Sequence, residues 1–177
     1  MEITLLDKKE YKGFNLDFKY TTKFYYDVIN DSEEIFSIKL IKKQFEKELH
    51  KGFIGKLYED YFEDASAFCM HNSEDIFGYL EVDRETWNNR LRITQLLILD
   101  KFRRNGCGTL LINKAKEISK KEKFREIILE TQSCNYKAIE FYIKNGFIIN
   151  GIDLSCYSND DMTKNEVRLE MIFRDLS

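Results

Sequence analysis

The spacing of hydrophobic positions changes along this chain, and each change marks an element. Over residues 1 to 30, Phe14, Leu16, Phe18 and Tyr20 alternate with polar residues, which is the two-residue period of a strand. From Glu33 to Phe62 the spacing becomes helical. Ile35, Ile38, Ile41 and Phe45, then Phe53, Leu57 and Phe62, predict two helices parted at Gly52 and Gly55. They would cover one face of a sheet or, alternatively, form a lid over a substrate. Ala65 to His71 reads as a strand, Asn72-Ser73-Glu74-Asp75 as a turn and Ile76 to Val82 as a second strand, together an antiparallel hairpin. After a polar link around Trp87-Asn88-Asn89, a strand is expected over Leu91 to Asp100. A helix follows over Gly106 to Lys120 with Leu110, Leu111, Ala115 and Ile118 inward. Glu126 to Thr131 carries Ile127-Ile128-Leu129 in a row, as in a strand covered on both faces. Asn135 to Lys144 reads as a helix, with Gly146 where a left-handed cap is wanted. Phe147 to Ile152 and Val167 to Phe173 complete the sheet.

The piece from 91 to 145 is therefore a βαβα unit, whose two strands should be parallel neighbours joined by a right-handed crossover. The whole reads as one domain, residues 1–177, of α/β (α+β) class. Its expected core is a mixed, mostly antiparallel twisted sheet of about seven strands with a central parallel pair and helices on both faces.

Composition narrows the chemistry. A net charge of −3 over 177 residues with no obviously basic face argues against nucleic acid as a partner and tolerates a cationic substrate. No apolar run nears the ~20 residues that cross a bilayer. The N-terminus Met-Glu-Ile-Thr-Leu-Leu-Asp-Lys-Lys-Glu lacks a signal-peptide layout, so a cytoplasmic protein with no membrane partner is expected. Cys69, Cys107, Cys134 and Cys156 form no close pair and are expected as free, buried thiols. His50 and His71 have no ligand-like neighbours, so no metal is predicted.

The most informative stretch, residues 96 to 112, reads Leu-Leu-Ile-Leu-Asp-Lys-Phe-Arg-Arg-Asn-Gly-Cys-Gly-Thr-Leu-Leu-Ile. An apolar strand meets a basic, glycine-containing turn that opens a helix. The first N–H groups of a helix lack intrahelical partners and lie at the positive end of its dipole. Gly106 and Gly108 leave room for an anion against the main chain, and Arg103 and Arg104 add charge, so the guest would be a phosphate or pyrophosphate. No Gly-Lys-Ser/Thr follows, which excludes a Walker loop.

A second constellation follows the next strand: Glu-Thr-Gln-Ser-Cys-Asn-Tyr-Lys-Ala-Ile-Glu-Phe-Tyr-Ile-Lys-Asn-Gly-Phe, residues 130 to 147. Asn135 is placed to cap a helix, and Tyr142 lies about two turns further along it. A phenol can donate a proton to a departing thiolate. An Arg-x-x-Gly-x-Gly turn after one strand, then Asn and Phe-Tyr-x-x-x-Gly-Phe after the next, resembles the GCN5-related N-acetyltransferases. That resemblance implies a GNAT fold in which the parallel strands splay and acetyl-CoA slots between them. It implies that Arg103, Arg104, Asn105, Gly106, Cys107, Gly108 and Thr109 cradle the pyrophosphate. It also implies that the main chain of Leu96, Leu97 and Ile98 pairs with pantetheine, that Asn135 bonds the coenzyme A arm and that Tyr142 protonates the leaving thiolate. Dimerisation through an edge strand, the C-terminal one, belongs to the same expectation.

Thr86-Trp87-Asn88, Glu130-Thr131-Gln132, Gly151-Ile152-Asp153 with Tyr157, and Glu166 resemble more narrowly the streptothricin acetyltransferases, which acetylate an antibiotic amine and confer resistance. Those enzymes usually carry adjacent acidic residues before the coenzyme turn, where this chain has Thr94-Gln95. Neither can take a proton at neutral pH. The expected base is therefore another carboxylate, Glu130 ahead of Glu81. Glu81, Trp87 and Asp153 are the candidate substrate contacts. The expected function is acetyl transfer to a primary amine of a small molecule, with streptothricin-type antibiotics leading. The alternatives are another amine or a protein N-terminus, and a non-catalytic acyl-CoA-binding module.

Overall fold

The computed structural model describes residues 1–31 and 35–175. In chain order the elements are β1 (Glu2–Leu5), α1 (Lys8–Tyr11), β2 (Asn15–Asp31), β3 (Ser37–Lys56), β4 (Ala65–His71), β5 (Ile76–Glu85), β6 (Arg90–Ile98), α2 (Cys107–Glu122), β7 (Glu126–Gln132), α3 (Tyr136–Lys144), β8 (Ile148–Asp153), α4 (Asp161–Lys164) and β9 (Arg168–Phe173), with a short 3₁₀ turn over Asp100–Phe102. Seven strands form one sheet in the order β1-β4-β5-β6-β7-β9-β8, and β2 and β3 pair separately. In that sheet β6 and β7 pair in parallel, whereas β1–β4, β4–β5, β5–β6 and β8–β9 are antiparallel. The chain divides into two compact units. One comprises Met1–Phe18, Gly52–Leu129 and Phe173–Ser177, the other Lys19–Lys51 and Glu130–Ile172.

In the first unit, the β4–β5 hairpin forms as its sequence predicts. The Asn72 carboxamide accepts hydrogen bonds from the Glu74 and Asp75 N–H groups at 2.8 and 2.6 Å and shapes the turn. Leu80, Val82, Leu91, Ile127 and Ile128 have no exposed surface, and Ile93 and Leu97 are each 5% exposed. Helix α2 contributes Leu111, Ile112, Ala115 and Ile118 to the buried face, a helical stripe at the expected period. Leu110, expected inward, is exposed instead, because the stripe centres on Ile112 and Ala115 and turns Leu110 away. Gly78 lets β5 lie tight on β6: a Cβ there would sit 2.3 Å from the Leu97 carbonyl oxygen.

The segment expected as two helices is instead β3; its expected start at residues 33–34 lies outside the described residues. Phe18 stacks on Phe53, Lys23 pairs with Glu48, Tyr25 meets Phe45 and Asp27 pairs with Lys43, the opposed order of an antiparallel ribbon. A two-stranded ribbon that is mostly wet on both faces has no need of a strict two-residue period. Ile41 and Phe53, which supplied the helical spacing, are exposed. Gly55, expected as a helix break, lies inside β3 where a Cβ would come within 2.8 Å of the Gln95 side chain.

In the second unit, the ribbon is fastened to α3. The Tyr26 hydroxyl donates to Glu140 at 2.8 Å, its N–H to the Ser133 carbonyl at 2.9 Å, and the Lys42 ammonium to the Tyr136 hydroxyl at 2.6 Å. Phe147, Val167, Leu169, Met171 and Ile172 form the buried interior beside Ile139. β8 is the edge strand and β9 lies inside the sheet, so the C-terminal strand offers no free edge for a dimer. Cys69, Cys107 and Cys134 are buried free thiols as expected, whereas Cys156 is free but exposed.

Candidate active site

The first unit carries a strand that parts from its neighbour. β6 has nine residues, but its parallel ladder with β7 holds only Arg90↔Glu126, Leu91↔Ile127 and Arg92↔Ile128. Its ladder with β5 continues to Ile98 but slips by one residue at Glu81/Val82, leaving Thr94 as a β-bulge. A bulge bends its strand and increases local twist. Leu96, Leu97 and Ile98 thus lie beyond the last residue paired to β7. The closed end of the divergence is held by Glu126, whose side chain has no exposed surface. Arg174 donates to it at 2.8 Å, Arg90 approaches at 2.6 Å without hydrogen-bond alignment, and Arg125 lies at 3.3 Å. Burial alone would raise the Glu126 pKa; the three guanidinium groups outweigh it and hold the carboxyl below its usual range.

Beyond Ile98 the chain enters the basic turn. Arg103 donates to the Ile98 carbonyl at 3.1 Å and pairs with Asp100 at 2.7 Å, which anchors it over the end of β6. Arg104 and Gly106 adopt left-handed backbone, φ 66° and 80°. A Cβ at Gly106 would meet no atom within 4 Å, so the approach to the helix start is open. No side chain caps α2, and its first turn holds no acidic residue. The residues present therefore fit a diphosphate: open N–H groups of Cys107, Gly108 and Thr109 at the positive end of a 16-residue helix, with Arg103, Arg104 and Asn105 leading into them.

Near the bulge lies a buried carboxylate. Glu81 has no exposed surface; it accepts the Tyr58 N–H at 2.6 Å on one oxygen and the Thr94 hydroxyl at 2.7 Å on the other. Tyr58 is itself fixed, its hydroxyl donating to the Leu6 carbonyl at 2.7 Å and accepting the Ala67 N–H at 2.9 Å. Burial raises the Glu81 pKa, Asp83 and Glu59 add to the rise, and the two hydrogen bonds oppose it.

The second unit carries the other constellation. Asn135 caps α3, its side-chain oxygen accepting the Ala138 N–H at 3.4 Å. The helix ends in a Schellman motif, with the Phe147 N–H on the Tyr142 carbonyl at 3.0 Å, the Gly146 N–H on the Ile143 carbonyl at 2.9 Å, and Gly146 at φ 87°. Tyr142 is thereby fixed between Phe141 and Phe147, with ring centroids at 5.4 and 5.8 Å. Burial pushes its pKa up to about 12, so the phenol stays protonated across the physiological range. Glu130 is exposed and pairs with Arg168 at 2.9 Å; Arg168 also binds Glu170 at 2.8 Å. Asp153, opposite Arg168 in register, accepts the Ser155 N–H at 3.1 Å and shapes the turn after β8.

The first unit thus brings together Leu96 to Ile98, the 103–109 turn, Glu81 and Thr94 on two adjacent strands and the turn that follows. Trp87 is not among them. It is 86% exposed on the β5–β6 turn, at the opposite end of β6 from the basic turn. Sequence reasoning missed the Thr94–Glu81 contact and the Tyr58 anchor. Only the unusual Thr94-Gln95 pair signalled the former.

The acetyltransferase (GNAT) family model matches residues 26–147, well over half of the chain. Streptothricin acetyltransferase A of Bacillus subtilis is 29% identical over 173 residues, 96% of this chain and 95% of that protein. A streptothricin acetyltransferase of Escherichia coli is 28% identical over 77% of this chain and 80% of its own length. A nourseothricin acetyltransferase crystal structure shares the fold with a TM-score of 0.78 at 22% identity, covering 98% of this chain and 97% of that one. A streptothricin acetyltransferase candidate from Bacillus anthracis, solved with acetyl coenzyme A, gives 0.74 at 23% identity and 98% and 97% coverage. With a mixed seven-stranded sheet, a diverging parallel pair and a glycine-containing anion turn in place, the chain belongs to the acetyltransferase (GNAT) family.

Proposed function

We propose that this acetyltransferase moves the acetyl group of acetyl-CoA onto a primary amine of a streptothricin-type antibiotic and acts in the cytoplasm. The observation that carries the cofactor side is the early end of the β6–β7 ladder at Arg92↔Ile128, followed by an uncapped helix start behind two arginines. When bound, acetyl-CoA supplies an activated thioester carbonyl. In this reading Arg103, Arg104 and the N–H groups of Cys107, Gly108 and Thr109 hold the diphosphate, and the main chain of Leu96 to Ile98 holds the pantetheine arm. Asn135 spends its side-chain oxygen on the α3 cap and keeps its amide N–H₂ for the coenzyme arm. Tyr142 gives its phenolic proton to the leaving sulfur, a role supported by its protonated state.

The antibiotic side is supported by relatives named for streptothricin that match over 96% and 77% of the chain. Glu130 is proposed to face the cationic substrate with Asp153. In this unit its carboxylate is paired with Arg168 at 2.9 Å.

The test is release of free coenzyme A with streptothricin, with other small amines and with a peptide N-terminus. Streptothricin is expected to turn over fastest; preference for the peptide would overturn the substrate assignment. Tyr142→Phe is expected to slow turnover roughly 100-fold while leaving acetyl-CoA affinity by calorimetry unchanged. Equal loss of both would give Tyr142 a packing role instead.

A further inference from the structure

We propose that Glu81 is the base and Thr94 only its relay, the Thr94 hydroxyl proton passing to Glu81 as the proton of the attacking amine replaces it, so that the base missing from β6 is supplied from the neighbouring strand β5. This inference rests on the proposed acetyl transfer and adds to it the path of the departing proton.

The argument begins with Glu81. A carboxylate with no exposed surface is costly to keep in a core. It is held by two donors, the Tyr58 N–H at 2.6 Å and the Thr94 hydroxyl at 2.7 Å, one on each oxygen. A fully buried carboxylate cannot meet a substrate directly, so any proton that reaches it must pass through a neighbour. The Tyr58 N–H cannot exchange roles, being a peptide donor with no acceptor capacity. Thr94 can. Its hydroxyl donates to Glu81 and retains lone pairs to accept from another group. Thr94 is half-buried, and it is the bulge residue of β6, two residues past Arg92, where the ladder to β7 ends.

The groups around Glu81 favour a proton acceptor. Asp83 on its own strand and Glu59 in the segment after β3 are both negative. Ala67 of β4 and Gln95 of β6 are its neutral register partners, and Tyr58 and Thr94 are neutral donors. Burial and the two carboxylates raise its proton affinity above that of an ordinary glutamate. The balance is complete without a further reactant. The amine nitrogen bonds to the acetyl carbon and the carbon–sulfur bond breaks. The surplus amine proton moves to Thr94 Oγ1 as the Thr94 hydroxyl proton moves to Glu81 Oε1. Glu81 ends the step neutral and returns its proton to solvent by the reverse path.

The experiment compares Thr94→Ser, Thr94→Val and Glu81→Gln with the parent protein. It reads kcat/KM for streptothricin against pH, coenzyme A affinity, thermal stability and, without any substrate, the infrared band of the protonated Glu81 carboxyl through a pH titration. Thr94→Ser, which keeps the hydroxyl, is expected within about threefold of the parent. Thr94→Val is expected to lose about 100-fold in kcat/KM with coenzyme A affinity unchanged. The acid limb of the profile is expected to disappear in Glu81→Gln, and the infrared band to titrate above the usual glutamate range and move in Thr94→Val. Thr94→Val acting like the parent, or an acid limb that survives in a folded Glu81→Gln, overturns the relay. So does a Glu81 band that titrates at the ordinary value, whatever the activity. If the parent turns over no amine at all, the proposed function fails, and the infrared arm alone then decides whether Thr94 and Glu81 share a proton.

Discussion

Replacing Glu126 by Gln probes the closed end of the diverging strands. The substitution keeps shape and removes one charge from a site where the carboxylate is fully buried and Arg90 is only 20% exposed. Removing one partner of a buried ion pair typically costs about 3–5 kcal/mol, because the other charge is left uncompensated. Two features lower that figure here. Arg125 and Arg174 are 47% and 49% exposed and can turn to water, and the Arg90 contact is close but not aligned as a hydrogen bond. We therefore expect a loss of about 2–3 kcal/mol, mainly from Arg90 left in the interior. For a chain of this size that corresponds to a fall in Tm of roughly 4–12 °C. The assay is thermal unfolding followed by circular dichroism, repeated from pH 7 down to pH 3. The folded-state pKa of Glu126 lies below its unfolded value, so its stabilising contribution is present above the unfolded value. It is lost as pH falls through the lowered one. The gap between parent and variant should accordingly close in acid. A variant whose Tm at neutral pH stays within about 1 °C of the parent, or a gap that widens in acid, would refute the reasoning.

Three further outcomes follow from the geometry. Gly78→Ala should destabilise by about 3 kcal/mol, since its Cβ would press on the Leu97 carbonyl, a backbone atom that cannot rotate away; urea midpoints check this. Replacing Arg103 and Arg104 together by Ala should weaken coenzyme A binding by roughly tenfold or more while leaving the affinity for pantetheine, which lacks the diphosphate, unchanged in calorimetry. Ellman's reagent should find one fast thiol in the native protein, Cys156, and four after denaturation, because the other three cysteines are buried.

The sequence was most legible where packing and local chemistry agree. The β4 strand has the predicted bounds because a run of buried residues ends in an Asn-led turn that its own side chain closes. The helix after the basic turn and the Gly146 cap were visible for the same reason, one in its apolar period and the other in a residue type that left-handed backbone favours. The β2–β3 ribbon was not. Its residues answer to cross-strand partners such as Phe18 with Phe53, and no single-chain period encodes a pairing between strands. In the candidate site, the anion turn could be read from Arg103 to Thr109 because it is contiguous. The Thr94–Glu81 contact could not, because it depends on a one-residue slip in a ladder whose register comes from both strands at once. The ion pair that ties Glu130 to Arg168 is a long-range contact of the same kind.

The short β6–β7 ladder has a consequence for how the protein behaves in storage and in the cell. From Ile93 to Ile98, about 20 Å of main chain, β6 turns toward β7 a row of peptide groups that have left their strand partner. Such a row is a template on which a stray extended segment can grow a foreign strand, the hazard that sheet proteins ordinarily bury, charge or twist out of reach. A ligand that lies along this row also shields it. Solutions supplied with coenzyme A should therefore clump more slowly on ageing than solutions without it, by a margin that tracks occupancy of the cleft.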